Sequence, residues 1–183
     1  IEQGMRKVAD RGATLIVAMG FAQADAVAAV APQYPDINFV NVDVCWLDDP
    51  AGNIYQACYK EHEGSFLVGM IAAMASKTGK IGFVGGMDIP LIRKFQGGYE
   101  QGAMYVNPDI EIHANMTGTT PEAWNNPTKG AELTKAQVDK GADVVYQAAG
   151  GTGIGVLQAA ADAGIMGIGV DTNQNWMHPG NML

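Results

Sequence analysis

Residues 143–171 read DVVYQAAGGTGIGVLQAAADAGIMGIGVD. The stretch opens on an apolar run (143–150), turns through glycines into a helix-patterned segment (153–163), and closes on a second apolar run (165–171). Neither run alternates polar with apolar residues. A strand apolar on both sides belongs in a sheet covered on both faces, and a helix between two such strands makes a parallel crossover. The same order continues outward. Apolar runs stand at 13–20 (ATLIVAMG), 38–44 (NFVNVDV) and 80–86 (KIGFVGG), with helical patterns at 2–10, 21–34, 61–77, 91–106 and 128–140. Weaker strand signals at 53–59 and 111–118 complete the alternation. Asn126 followed by Pro127 is an N-cap with proline at the first helical position, and Gly141 is the matching stop. The expected fold class is α/β, with doubly wound parallel sheets and right-handed crossovers.

The chain has 183 residues, 48% of them hydrophobic and 16% charged, enough to bury a substantial core. Its net charge of −8 disfavours nucleic acid and anionic membrane surfaces as partners. No apolar run reaches the roughly 18–20 residues that span a bilayer. A polar turn at 76–80 (SKTGK) separates about three βα units from about three more. Two lobes are therefore expected, 1–79 and 80–183, joined by hinges and both incomplete. The chain starts at Ile1 and stops shortly after a strand-like run, which reads as the middle of a longer protein.

In doubly wound sheets ligands sit beyond the carboxyl ends of the strands. Those ends carry small or polar residues here: Gly20 and Phe21, then Asp43, then Gly85 to Asp88 with Met87 among them. Further along come Thr117 to Thr120 with Trp124 beyond, then Gly150, Gly151, Thr152 and Gly153, and finally Asp171. Glycine lets a ligand approach the backbone, and a carboxylate accepts hydrogen bonds from hydroxyls. Asp43 and Asp171, one in each expected lobe, could grip a neutral polyol such as a sugar or nucleoside. A single strand-end aspartate more often caps a turn; the recurrence favours binding. Trp124 lies in a polar loop and is the least core-like of three tryptophans, suited to stack on a flat ligand. Trp46, Trp124 and Trp176 all have a core reading too.

Catalytic signatures are mostly absent. The loop 149–155 (AGGTGIG) followed by a strand ending in Asp171 imitates a dinucleotide fingerprint, but the third glycine would fall at Val156 or Ala159. A nicotinamide-dependent oxidoreductase is thus the runner-up, and a sensor or transcription-regulator ligand domain a third reading. His62-Glu63 lacks the second histidine of a zinc helix, Ser65 lacks the glycine of a nucleophile elbow, and Gly79-Lys80 lacks a phosphate loop's spacing. No cofactor and no metal site is expected. Cys45 and Cys58 read equally as a pair or as two buried thiols.

Residues 61–69 (EHEGSFLVG), 80–93 (KIGFVGGMDIPLIR), 148–155 (AAGGTGIG) and 169–171 (GVD) resemble the basic membrane protein family, substrate-binding lipoproteins of bacterial ABC transporters that include purine nucleoside receptors. The resemblance covers nearly the whole chain. It implies a type I periplasmic binding protein fold with two lobes, hinges, a nucleoside in the cleft and no catalysis. Within it Asp171 would meet ribose hydroxyls, Asp43 would face the ligand from the first lobe, the 149–153 turn would lend backbone contacts, and Trp124 would stack in the cleft wall. It also implies importer membrane subunits as partners, a location in the periplasm or on the outer face of the cytoplasmic membrane, and room for a lipid anchor on a preceding N-terminus. Family members start with a strand and a serine/asparagine-rich loop, and end with strands returning to the first lobe that carry a ligand-contacting lysine. This chain has neither.

Overall fold

Helix α1 (Glu2–Asp10) leads into strand β1 (Leu15–Ala18), helix α2 (Ala24–Val30), strand β2 (Asn38–Val42) and strand β3 (Ile54–Ala57). The three strands form a parallel sheet in the order β1-β2-β3. Met5 and Ala9 of α1 and Ala26, Val27 and Val30 of α2 share one core with Ile16, Ala18, Phe39 and Ile54. Both helices therefore lie on one side of the sheet. On the other side Leu15 and Val17 are each 53% exposed, so the apolar run at 13–20 is covered on one face rather than two, while Val40 and Val42 of the run at 38–44 are half-buried there.

The β2–β3 crossover contains no helix. Residues 43–53 form a strap, and Leu47 packs on the core as a helix residue would. The strap is laced to β3 at four levels. Asp49 caps it, its carboxylate accepting from the backbone N–H groups of Asn53 and Ile54, both at 3.0 Å. Above that, the Gln56 side chain accepts from Leu47 N at 2.8 Å and donates to Leu47 O at 2.9 Å. A disulfide then joins Cys45 to Cys58. Last, Asp43 N donates to Ala57 O at 2.7 Å. Both cysteines are exposed and bonded, which replaces the buried-thiol alternative.

Helix α3 (Glu61–Ala75), β4 (Lys80–Met87), α4 (Pro90–Val106), β5 (Glu111–Gly118), α5 (Pro127–Asp139), β6 (Val144–Ala148), α6 (Gly153–Asp162) and β7 (Met166–Ile168) follow. Their sheet is parallel, in the order β5-β4-β6-β7. Here the apolar runs are covered on both faces, as expected. Ile81, Phe83, Val144 and Tyr146 pack with Ala72, Tyr99 and Ala103 of α3 and α4, while Val84 and Val145 pack with Leu133 and Val156 of α5 and α6. Asn126 caps α5, its side chain accepting from Lys129 N at 3.0 Å, and Gly141 takes the left-handed conformation at φ +98°.

The computed structural model describes residues 1–183 as two compact units, Ile1–Tyr59 and Lys60–Leu183. The division falls ahead of the polar turn at 76–80, because α3 packs on α4. A Cβ on Gly69, Gly98 or Gly102 would run into the backbone of Tyr99, His62 or Phe66, respectively, so the two helices touch backbone to backbone. The turn itself is held to the foot of β6. Asp143 accepts from Ser76 Oγ and Lys77 N, both at 2.6 Å, and from Thr78 N at 2.9 Å.

Candidate functional site

Every candidate residue lies at the carboxyl end of its own sheet. In the first unit these are Gly20, Phe21 and Asp43; in the second, Met87, Trp124, Gly150, Gly151, Thr152 and Asp171. Each end is organised by a buried side-chain amide inside a largely apolar strand, Asn41 in β2 and Gln147 in β6. Asn41 Nδ2 lies 3.2–3.3 Å from the Ala18, Gly20 and Val42 carbonyls, which fixes the turn after β1. Gly20 sits there at φ +87° and ψ +158°, a region open only to glycine. In the second unit Gln147 accepts from Ala149 N at 3.0 Å and donates to Gln174 Oε1 at 2.9 Å. Gln174 Oε1 also accepts from Val170 N at 2.9 Å, tying the segment after β7 back to β6. Sequence reading passed over Asn41, Gln147 and Gln174. For Asn41 and Gln147 an amide within a largely apolar run is itself the signal, because a buried polar group must find partners, whereas Gln174, beyond the end of β7, carries no such mark.

The aspartates share an uncommon backbone. Asp43 has φ +64° and Asp171 φ +63°, and no other non-glycine residue of the chain has positive φ. At Asp171 the reason is a γ-turn: Thr172 N donates to Val170 O at 2.7 Å across it. The positive-φ γ-turn is rare and strained. Asp171 is exposed, and its charge adds to the upward shift of the Tyr146 phenol, which burial first of all pushes up to about 12.

Trp124 occupies the point where β4 has β5 on one side and β6 on the other, the switch point of the second sheet. A Cβ on Gly86 would clash with its ring, and one on Gly150 would stand 3.4 Å from it. Two hydroxyls hold the 3₁₀ turn (Pro121–Trp124) that carries it. Thr117 Oγ1 donates to Ala123 O at 2.9 Å, and Thr152 Oγ1 donates to the same carbonyl at 2.7 Å while accepting from Asn126 N at 2.7 Å. Thr152 is buried, with its hydroxyl committed inward. Its geometry is that of a support for the Trp124 turn rather than of a group open to a ligand.

The tryptophans thus reverse their expected order. Trp124 is half-buried on the core, whereas Trp46 and Trp176 are 61% and 76% exposed. The loop carrying Trp124 folds back across Gly86, which its polar composition concealed. The glycines of the 150–155 loop also find internal uses. A Cβ on Gly153 would meet Gln147, and one on Gly155 would meet the Pro127 carbonyl, so these positions serve packing rather than pyrophosphate approach. No cluster of His, Cys, Asp or Glu side chains has the makings of a metal site.

A family model described as ABC transporter substrate-binding protein, PnrA-like, matches residues 1–183. The chain belongs to the Bmp family. Basic membrane protein A2 of Borrelia garinii subsp. bavariensis is 36% identical over 95% of this chain and 51% of its own length. The ABC transporter nucleoside-binding protein BmpA of Lactococcus lactis subsp. cremoris is 38% identical over 91% of this chain and 48% of its own. Among solved structures, an ABC transporter solute-binding protein from Aeropyrum pernix superposes with a TM-score of 0.88 at 30% identity, covering 99% of this chain and 52% of that one. The Bmp chain therefore spans about half the length of the curated relatives it matches. Its family is one of substrate-binding proteins, not enzymes, and its α/β fold of parallel sheets is the type I periplasmic kind of its solute-binding neighbours. No helix is long and apolar enough to cross a membrane.

Proposed function

We propose that the protein is the solute receptor of an ABC importer and takes a nucleoside, a purine nucleoside by preference. The observation that carries the reading is the pair of left-handed aspartates at strand ends, Asp43 and Asp171. Strained backbone clusters at ligand sites, where the surrounding structure fixes it, and an exposed carboxylate such as that of Asp171 suits the 2′- and 3′-hydroxyls of ribose. Trp124, lying on Gly86, offers a flat apolar surface for a base. The L. lactis relative named for nucleoside binding supports the ligand class.

The disulfide between Cys45 and Cys58 fits an oxidising compartment, and so a place outside the cytoplasmic membrane, where importer subunits would receive the ligand. A lipid anchor on a preceding segment would keep it there. The test is a thermal-shift screen of the natural full-length protein against nucleosides, free bases, sugars and NAD. Adenosine, guanosine and inosine are expected to raise the melting temperature more than adenine, guanine or hypoxanthine, and NAD to leave it unchanged. Equal shifts from bases and nucleosides would remove the hydroxyl-binding role of the aspartates, and saturable NAD binding would revive a dehydrogenase.

A further inference from the structure

We infer that Gln174 is a positioning residue for Asp171: its side-chain oxygen holds the loop that presents the carboxylate, so that the receptor's preference for a sugar bearing hydroxyls depends on it. The inference rests on the reading that Asp171 meets the ligand, and its geometry lies wholly within the second unit. Strand β7 ends at Ile168, and Asp171 follows at φ +63°, exposed together with Thr172 and Asn173. The γ-turn bond from Thr172 N to Val170 O closes this tip within itself. Two feet fasten it to the unit. At the near foot the Val170 side chain packs on the core formed by β4, β6, α3 and α4. At the far foot Gln174 Oε1 accepts two hydrogen bonds at once, from Val170 N and from Gln147 Nε2, both at 2.9 Å. Gln147 is fully buried in β6 and its own Oε1 accepts from Ala149 N at 3.0 Å, so the place of Gln174 is set by a strand interior. The fit is close, since a Cβ on Gly169 would stand 2.6 Å from Gln174 Oε1. Past Gln174, the bonds from Asn175 N to Asn173 and from Met177 N to Gln174 O stay inside the segment. The next return to the sheet is Asn181 O, accepting from Gly167 N at 2.7 Å. A positive-φ γ-turn is strained and persists only where its surroundings over-determine it. Without the Gln174 oxygen the far foot is lost, while Val170 stays packed and β7 keeps its pairing to β6. A carboxylate that must be re-ordered on binding holds its ligand less tightly than one already in place. The loss then falls on the contacts Asp171 makes, the ribose hydroxyls, and spares the base.

The experiment is calorimetric titration of adenosine and of 2′,3′-dideoxyadenosine, which lacks both ribose hydroxyls, into the natural full-length protein and its Gln174→Met variant. Methionine keeps the length of glutamine and removes the strong acceptor. Adenosine binding is expected to weaken by about three- to ten-fold, and dideoxyadenosine binding to stay within about two-fold of wild type. A role in general stability would lower the melting temperature without separating the two ligands. In an Asp171→Ala background Gln174→Met is expected to have no further effect on adenosine affinity. Should Gln174→Met fail to fold, Gln174→Ala, which leaves room for water at the two donors, is read in the same way. Unchanged adenosine affinity in the folded variant overturns the inference while leaving nucleoside binding intact. Equal weakening for both ligands, or a further loss in the Asp171→Ala background, also overturns it. A wild type that binds adenosine no more tightly than dideoxyadenosine overturns the parent reading of Asp171 and this inference with it.

Discussion

Asp43 and Asp171 share a positive φ, +64° and +63°, each just past the carboxyl end of a parallel sheet in its own unit. A turn cap needs no such coincidence. The two residues should therefore respond to substitution in affinity rather than in stability.

Asp171→Ala is expected to lose about 1.5–3 kcal/mol for each ribose hydroxyl bond removed, a weakening of roughly ten- to a hundred-fold per bond. Asp171→Gly relieves the positive φ while adding backbone entropy to the unfolded chain, so its stability should stay within about 1 kcal/mol of wild type. Titration calorimetry and melting curves on both variants check this. A glycine variant that binds nucleoside as wild type does would return Asp171 to a structural role.

Thr152→Val removes one of the two donors to Ala123 O, which keeps its bond from Thr117 Oγ1, and the acceptor for Asn126 N, leaving that N–H without its partner. The expected cost is about 1–3 kcal/mol. Because the Ala123 carbonyl adjoins Trp124, the indole should also become more mobile. In a Trp46→Phe/Trp176→Phe background of these 183 residues Trp124 is the one indole, and under excitation that spares tyrosine its emission should shift red and its anisotropy fall.

Gly97 and Gly98 are adjacent on α4 but should respond in opposite directions. A Cβ on Gly97 meets nothing within 4 Å, so Gly97→Ala should stabilise by up to about 1 kcal/mol through helix propensity. A Cβ on Gly98 meets the His62 backbone, and Gly98→Ala should destabilise by about 1–3 kcal/mol by forcing α3 away. Urea denaturation of the pair decides the sign of each.

Much of this was legible locally. The α5 cap at Asn126 and its stop at Gly141 depend on neighbours a few residues away, and both are where the sequence predicts. The same holds for the doubly covered β4 and β6, whose composition reports their burial directly. What escaped were relations between distant segments. Trp124 looked exposed because its own loop is polar, whereas its burial is decided by the missing side chain at Gly86. The strap is equally non-local, since a crossover without a helix has no periodicity to read. Its order comes from Asp49, Gln56 and the cysteine pair.

Asp143 gives the acid limb of stability. Burial would raise its pKa, but the bonds from Ser76 and from the Lys77 and Thr78 backbone outweigh it and hold the carboxyl below the ordinary aspartate value. A depressed folded pKa means a contribution fully present above the unfolded value of about 3.9 and lost as pH falls through the folded one. Melting temperature should therefore drop below about pH 4, and Asp143→Asn should flatten part of that drop while lowering stability at neutral pH. An acid limb unchanged in the variant would assign it to other carboxylates.

Tyr99 is buried between Phe83 and Tyr146, with ring centroids 6.0 and 5.3 Å away, and its hydroxyl has no hydrogen-bond partner within the protein. Burial drives its pKa upward. Tyr99→Phe keeps the rings and removes the unpaired group, so stability is expected to stay level or rise by about 1 kcal/mol. A loss of more than that in denaturant unfolding would mean the hydroxyl holds a buried water.

The inner ties of the 43–53 strap are nested within its two outer ones, and nesting has a kinetic meaning. The Asp49 cap closes a loop of only a few residues, the Leu47–Gln56 pair encloses it, and the cysteine pair and the Asp43–Ala57 bond enclose both. Each closure brings the ends of the next together, so each new contact adds little loop entropy beyond the one before. A crossover assembled this way can zip from its tip outward, delivering Cys45 to Cys58 and setting Asp43 in place as the closing step.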